Sequence, residues 1–296
     1  MAKVVGGLGT SHVPSIGAAV DHGKTQEPYW KPVFDGMLPA KAWIEQVKPD
    51  VCIIVYNDHA SRFALDLIPT FALGVGESFA PHDEGYGPRP VPTVEGHPEF
   101  AWHLAERLIQ DDFDLTLVHE MTVDHGLTVP LSIAFGQPDA WPCRVIPLCV
   151  NMIQYPQPSG KRCYQLGRAI RRAIDSYPGD LRVAIFGTGG LSHQLQGERA
   201  GLINREYDQR WLDRFIMEPA EVAKISAVEL MRETGSEGIE CTMWLVMRGA
   251  LDDTVDVVHR FYHVPASNTA YGLLVLENSA DTGAEQHRGA EAEALG

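Results

Sequence analysis

The chain has 296 residues, 45% apolar and 21% charged, which suits one large α/β domain or two small ones and excludes wholesale disorder. A formal net charge of −15 argues against a nucleic-acid binder and against an anionic membrane surface, so an anionic substrate has to be met by local cationic or hydrogen-bonding groups. Five cysteines with no CxxC pair, no run of 18 apolar residues and an N-terminus without a long apolar core predict a reduced, cytoplasmic protein.

In chain order, a first strand is predicted at Lys3–Leu8 and leads into GLGTSHVP, which carries His12. A helix over Ala40–Val47 precedes a second strand, Asp50–Tyr56, followed by Asn57, Asp58 and His59. Pro81–Pro92 (PHDEGYGPRPVP) is too rich in Gly and Pro for regular structure and predicts a surface or lid loop. A helix over Pro98–Ile109 leads to a third strand, Leu115–His119. Beyond it His125 reads either as a turn residue before Gly126 or as an acid–base group. Strands at Val145–Asn151 and Leu181–Phe186 flank a helix over Gly160–Ser176, whose Leu166, Ala169, Ile170, Ala173 and Ile174 share one side. The fifth strand runs into FGTGGLSH, where Gly187, Gly189 and Gly190 make a tight loop before His193. Trp211–Arg232 reads as helix interrupted at Pro219, and Ser236–Gly249 as a helix capped by Ser236 and stopped by Gly249. Late strands are expected at Phe261–Val264 and Tyr271–Leu276, the second closing the sheet. Residues 278–296 predict a flexible tail, which leaves a single catalytic domain over 1–277.

The first five strands are short and almost continuously apolar, as strands covered on both faces are. Alternating with helices, they predict a single α/β domain with a central, mostly parallel or mixed sheet flanked by helices. His12, His59 and His193 follow the first, second and fifth strands, so parallel pairing brings them to one sheet edge, where ligand sites of open α/β sheets form. Two histidines and a carboxylate with open positions hold non-haem iron(II) in oxygenases, and the same donors also suit zinc. Glu240 is the candidate carboxylate, because it lies in an apolar segment where a metal would offset the cost of burying it. Asp58 is either an orienting group for His59 or a competing ligand. His193 and His125 are candidates for proton transfer. Met243, Trp244 and Met247 read as core. The GTGG segment lacks the spacing and lysine of a phosphate loop, and no GxSxG or HExxH occurs.

TSHVP, YNDHAS, DEGYGPRPVP, VDHG, PSGKRCYQLG, GTGGLSHQLQGERAGLIN, GSEGIECTMWLVMRGAL and FYHVPASNTAYG follow one another from residue 1 to about 277. In these segments the chain resembles the catalytic (β) subunits of the class III, LigB-like extradiol dioxygenases, of the protocatechuate 4,5-dioxygenase type. The resemblance implies His12, His59 and Glu240 as Fe(II) ligands, His193 as active-site base and His125 as a second active-site histidine. It also implies Asn57 and Ser267 in the substrate pocket. The implied reaction is ring opening of a small carboxylated catechol with O2. Protocatechuate is the first expectation and gallate or 3-O-methylgallate the alternative; a zinc hydrolase on the same scaffold is more distant. Such subunits work in α2β2 assemblies in which a small α subunit caps the site. Gallate dioxygenases resemble a fusion of both parts, and this length leaves no room for a fused cap, so a separate α partner is expected.

Overall fold

The computed structural model describes residues 1–266 and 268–279. The strands are β1 (Lys3–Thr10), β2 (Val51–Tyr56), β3 (Phe71–Gly74), β4 (Ser78–Phe79), β5 (Val94–Glu95), β6 (Thr116–Val118), β7 (Arg144–Val150), β8 (Arg182–Thr188), β9 (Val255–Ala266) and β10 (Thr269–Asn278). The helices are α1 (Pro14–Asp21), α2 (Lys31–Val47), α3 (Pro98–Gln110), α4 (His125–Phe135), α5 (Gly160–Asp175), α6 (Arg205–Met217), α7 (Pro219–Val222), α8 (Ala227–Thr234) and α9 (Trp244–Gly249), with a 3-10 segment at Gly238–Met243.

Eight strands form one mixed sheet in the order β6-β3-β7-β2-β8-β1-β10-β9. Its centre is parallel: β7 pairs with β2, β2 with β8, and β8 with β1. Every residue of β2 is buried, and its alternation divides the core. Val51, Ile53 and Val55 pack on the side of α3, α5, α6 and α9. Cys52, Ile54 and Tyr56 pack on the side of α1, α2 and α4. Each such buried aliphatic side chain contributes about 2 kcal/mol. The α/β architecture and its flanking helices are as the sequence predicts. Because β1, β2 and β8 are mutually parallel, their carboxyl ends, which lead to His12, His59 and His193, share one edge.

Several elements differ from expectation. β10 does not close the sheet: it lies between β1 and β9, and β9 is the edge strand. Ser236 caps nothing; its hydroxyl donates to Glu237, and the expected 236–249 helix is a 3-10 turn followed by α9, which ends at Gly249 as expected. The 211–232 region is three helices rather than one interrupted helix. His125 starts a helix, not a turn. HGLTVPLSIAF contains β-branched residues and Pro130, poor helix formers, yet residues 126–134 are all buried and the Asp124 side chain caps Gly126 N–H at 2.9 Å, so packing and capping override propensity. β3 was not legible, being four residues of FALG. β10 extends to Asn278, and Ser267 and residues 280–296, where the rest of the expected tail falls, lie outside the described residues. All five cysteines are free and buried, and no helix among the described residues is long and apolar enough to cross a membrane.

Candidate active site

Residues from distant parts of the chain meet at the carboxyl edge of the parallel strands. His12 Nε2 lies 3.2 Å from Glu240 Oε2, His59 Nε2 3.6 Å from Glu240 Oε1, and His193 Nε2 3.8 Å from Glu240 Oε2. Glu240 reaches this point from the 3-10 segment, whose tighter winding brings the carboxylate against the loop after β8. That loop is shaped for the approach. Gly189 has φ +118°, and a Cβ there would stand 2.7 Å from Glu240 Cβ; a Cβ on Gly190 would stand 2.6 Å from His193 Cε1. The glycines thus admit Glu240 and the His193 ring. Gly190 N–H also donates to Glu240 Oε2 at 3.1 Å.

Second hydrogen bonds fix each imidazole. His12 Nδ1 donates to Thr188 Oγ1 at 2.9 Å, because the threonine hydroxyl itself donates to Gly126 O at 3.4 Å. His193 Nδ1 donates to Leu191 O at 2.8 Å. His59 Nδ1 donates to Asp124 Oδ2 at 3.0 Å, and the same oxygen takes the His59 backbone N–H at 2.7 Å. Each histidine therefore turns Nε2 toward Glu240. Asn57 Nδ2 sits 3.2 Å from both His59 Nε2 and Glu240 Oε1, inside the cluster.

Burial pushes the His12 pKa down, despite the opposing charge of Glu240, so its ring is a neutral donor. Burial also disfavours a charge on His59, but Asp124 and Glu240 outweigh it and raise the pKa to about 10. Glu240 is held well below the ordinary carboxylate range: burial opposes its ionisation, and His12, His59 and His193 more than offset that. The two carboxylates around His59 call for positive charge, which a proton or a divalent metal supplies.

The donor set fits a metal. His12 Nε2 is buried with no hydrogen-bond partner, although it faces Glu240, as a metal-ligating nitrogen would. His125 is the competing third donor, since its ring offers a nitrogen within 4.8 Å of those of His12 and His59 and lies over His59 at 4.0 Å between centroids. Glu240 is the other candidate third donor, a buried carboxylate that needs a cation, while His125 is tied to Glu84 through its Nδ1 and its backbone N–H and keeps Nε2 free. Glu84 belongs to the predicted Pro81–Pro92 loop, which comes over the site and is anchored by Arg89, whose guanidinium forks onto Asp21 at 2.7 and 2.8 Å.

Asp58 is not the orienting group. Its oxygens accept the backbone N–H groups of Arg62 and Phe63 at 2.9–3.0 Å and shape the turn after β2. The orienting carboxylate is Asp124, distant in sequence from His59; the one available signal was an Asp directly before the VDHG histidine, an N-cap pattern read there as a turn. A cavity of about 1050 Å³ lies at the opposite edge, by Asp50, Trp141, Cys143, Arg144 and Leu181, and contains none of these groups.

The model of the family described as "Catalytic LigB subunit of aromatic ring-opening dioxygenase" matches residues 6–272. A gallate dioxygenase of Pseudomonas putida is 42% identical over 196 residues, covering 66% of this chain and 57% of that protein. A 2,3-dihydroxyphenylpropionate/2,3-dihydroxicinnamic acid 1,2-dioxygenase of Klebsiella pneumoniae is 33% identical over 185 residues, 62% of this chain and 55% of that one. The chain thus spans little more than half the length of these two relatives. A Comamonas testosteroni protein of the same name is 25% identical over 324 residues, covering 92% and 96%. The crystal structure of an uncharacterized Escherichia coli K12 protein superposes with a TM-score of 0.56 at 14% identity over 93% of this chain and all of that one, a likeness of fold alone. With the family model matched over nearly the whole described chain, this protein belongs to the LigB family of catalytic subunits of aromatic ring-opening dioxygenases.

Proposed function

We propose that the protein is the catalytic component of an Fe(II)-dependent extradiol dioxygenase acting on a carboxylated catechol. Gallate is the favoured substrate and protocatechuate the second. The similarity to a gallate dioxygenase moves gallate ahead of the protocatechuate expected from the sequence. The observation that carries the reading is the meeting of His12, His59 and Glu240 within 3.2–3.6 Å, with His193 beside them. Two neutral imidazoles and one carboxylate leave positions free on a ferrous ion, which when bound supplies a common anchor for catechol and O2 and a path for electrons between them.

The chain's own groups account for the proton movements. In the neutral ring the Nδ1–H bond to Leu191 O leaves Nε2 as the nitrogen with a free lone pair, able to accept a catechol hydroxyl proton and return it later. His125, at the mouth, is held by Glu84 with one ring nitrogen free for a substrate oxygen. Asn57 offers an amide beside His59 and Glu240, and Ser267 is kept as a second substrate contact. Both atoms of O2 enter the product as the ring opens beside the diol; protocatechuate would give 4-carboxy-2-hydroxymuconate semialdehyde. A small capping α subunit in an α2β2 assembly and a cytoplasmic location belong to the same proposal.

The test is O2 uptake by anaerobically Fe(II)-loaded protein on addition of gallate, protocatechuate and 3-O-methylgallate, with the product mass measured. Stoichiometric uptake with gallate and a product heavier by two oxygen atoms supports the reading. No uptake with any of the three, together with preferential retention of zinc, would replace it with a hydrolytic one.

A further inference from the structure

Asp208, on α6, is a buried carboxylate that forms no ion pair with lysine or arginine among the described residues. Its oxygens take three donors: Ser192 N–H at 3.0 Å, Ser192 Oγ–H at 2.6 Å and Tyr262 O–H at 2.8 Å. The direction of the serine bond follows from its other partner: Ser192 Oγ accepts Asn204 N–H at 2.9 Å, so its proton points to Asp208. On the other side, Ser192 O accepts Ala270 N–H from β10 at 2.9 Å, and His193 N–H donates to Thr234 O at 2.8 Å. The peptide preceding His193 is therefore clamped by α6, β9, β10 and the end of α8. Because the His193 ring hangs from Leu191 O through Nδ1, the backbone at 191–193 sets where Nε2 points.

We infer that Asp208, acting through Ser192 with Tyr262 as its third donor, is a positioning residue that holds His193 Nε2 toward Glu240 and the substrate. The inference rests on the reading of His193 as the proton-transfer group. A buried carboxylate with no cation beside it is costly, and its three donors need both oxygens, whereas an asparagine offers a single accepting oxygen and would leave at least one donor unmet. The geometry gives the carboxylate its use here: Ser192 N–H on one oxygen, and Ser192 Oγ–H with Tyr262 O–H on the other, fix the peptide from which His193 hangs. Small displacements of a catalytic group are expensive, about 100-fold in rate for 1 Å.

The experiment measures kcat, KM for gallate and iron content of the Fe(II)-loaded Asp208→Asn and Tyr262→Phe variants, each alone and combined with His193→Phe. Asp208→Asn is expected to lower kcat about 10- to 100-fold with KM and iron content unchanged, and to do nothing further in the His193→Phe background. Tyr262→Phe removes one donor from a half-buried side chain and is expected to lower kcat by a smaller factor in the same pattern; it carries the test alone if Asp208→Asn does not fold. Wild-type kcat in the foldable variant overturns the inference, as does a loss that tracks iron content or persists in full without His193. If His193→Phe itself turns over like the wild type, the assignment of the base has failed, and the inference falls with it. Normal turnover of Asp208→Asn and Tyr262→Phe beside an inactive His193→Phe defeats the inference alone.

Discussion

One oxygen of Asp124 accepts both the ring Nδ1–H of His59 at 3.0 Å and its backbone N–H at 2.7 Å, while the other oxygen caps α4 through Gly126. A single carboxylate thus fixes the ring orientation of one candidate ligand and the helix start that carries His125. Carboxylates in this relation to a ligating histidine hold its tautomer and raise its basicity. Asp124→Asn should weaken iron binding about 10- to 100-fold, measured by competition with a chelator. An unchanged dissociation constant would show that His59 needs no orienting partner.

His193 shares no direct ligand role in this account, so its removal separates chemistry from metal binding. His193→Phe should retain iron and lose about 10²- to 10⁴-fold in kcat, the range for a positioned acid–base group. Iron analysis alongside steady-state rates checks both halves.

The loop glycines make a steric prediction. At Gly189, φ +118° is strained for any side chain, and the new Cβ would meet Glu240 Cβ at 2.7 Å. Gly189→Ala should cost about 1–3 kcal/mol of stability in chemical denaturation and lower iron affinity, because Glu240 has to move. A variant of wild-type stability and affinity would mean the loop relaxes without disturbing the carboxylate.

Arg89 ties the Pro81–Pro92 loop to Asp21 with a two-pronged ion pair and also reaches Thr128, Ser132 and Gly17 O. Breaking a largely buried pair by removing one partner costs about 3 kcal/mol locally. Arg89→Met should speed proteolysis near the fully exposed Tyr86 and raise KM, since Glu84 would hold His125 less firmly. Limited proteolysis followed by mass mapping shows whether cutting falls in this loop.

The sequence disclosed the parts of the site that depend on period and topology. VCIIVY and VAIFGT read as covered strands because every position is apolar or small, and parallel pairing then placed His12, His59 and His193 at one edge. Glu240 was legible as a charge out of place in an apolar segment. What stayed hidden depends on three-dimensional pairing. Asp58 adjoins His59 in the sequence while Asp124 is 65 residues away, and only the fold shows that Asp124 faces the ring. The α4 helix carries poor formers and a proline, and stands because its surroundings bury it. The 3-10 winding that delivers Glu240 has no periodic signature in six residues.

The central claim is that His12, His59 and Glu240 together bind iron. It is tested most directly by anomalous diffraction at the iron edge from crystals of anaerobically loaded protein, with Glu240→Gln as the control. The account predicts one full-occupancy iron about 2 Å from His12 Nε2, His59 Nε2 and a Glu240 oxygen, and little iron in the control. Iron seated on His125 in place of Glu240, or full occupancy in Glu240→Gln, would contradict it.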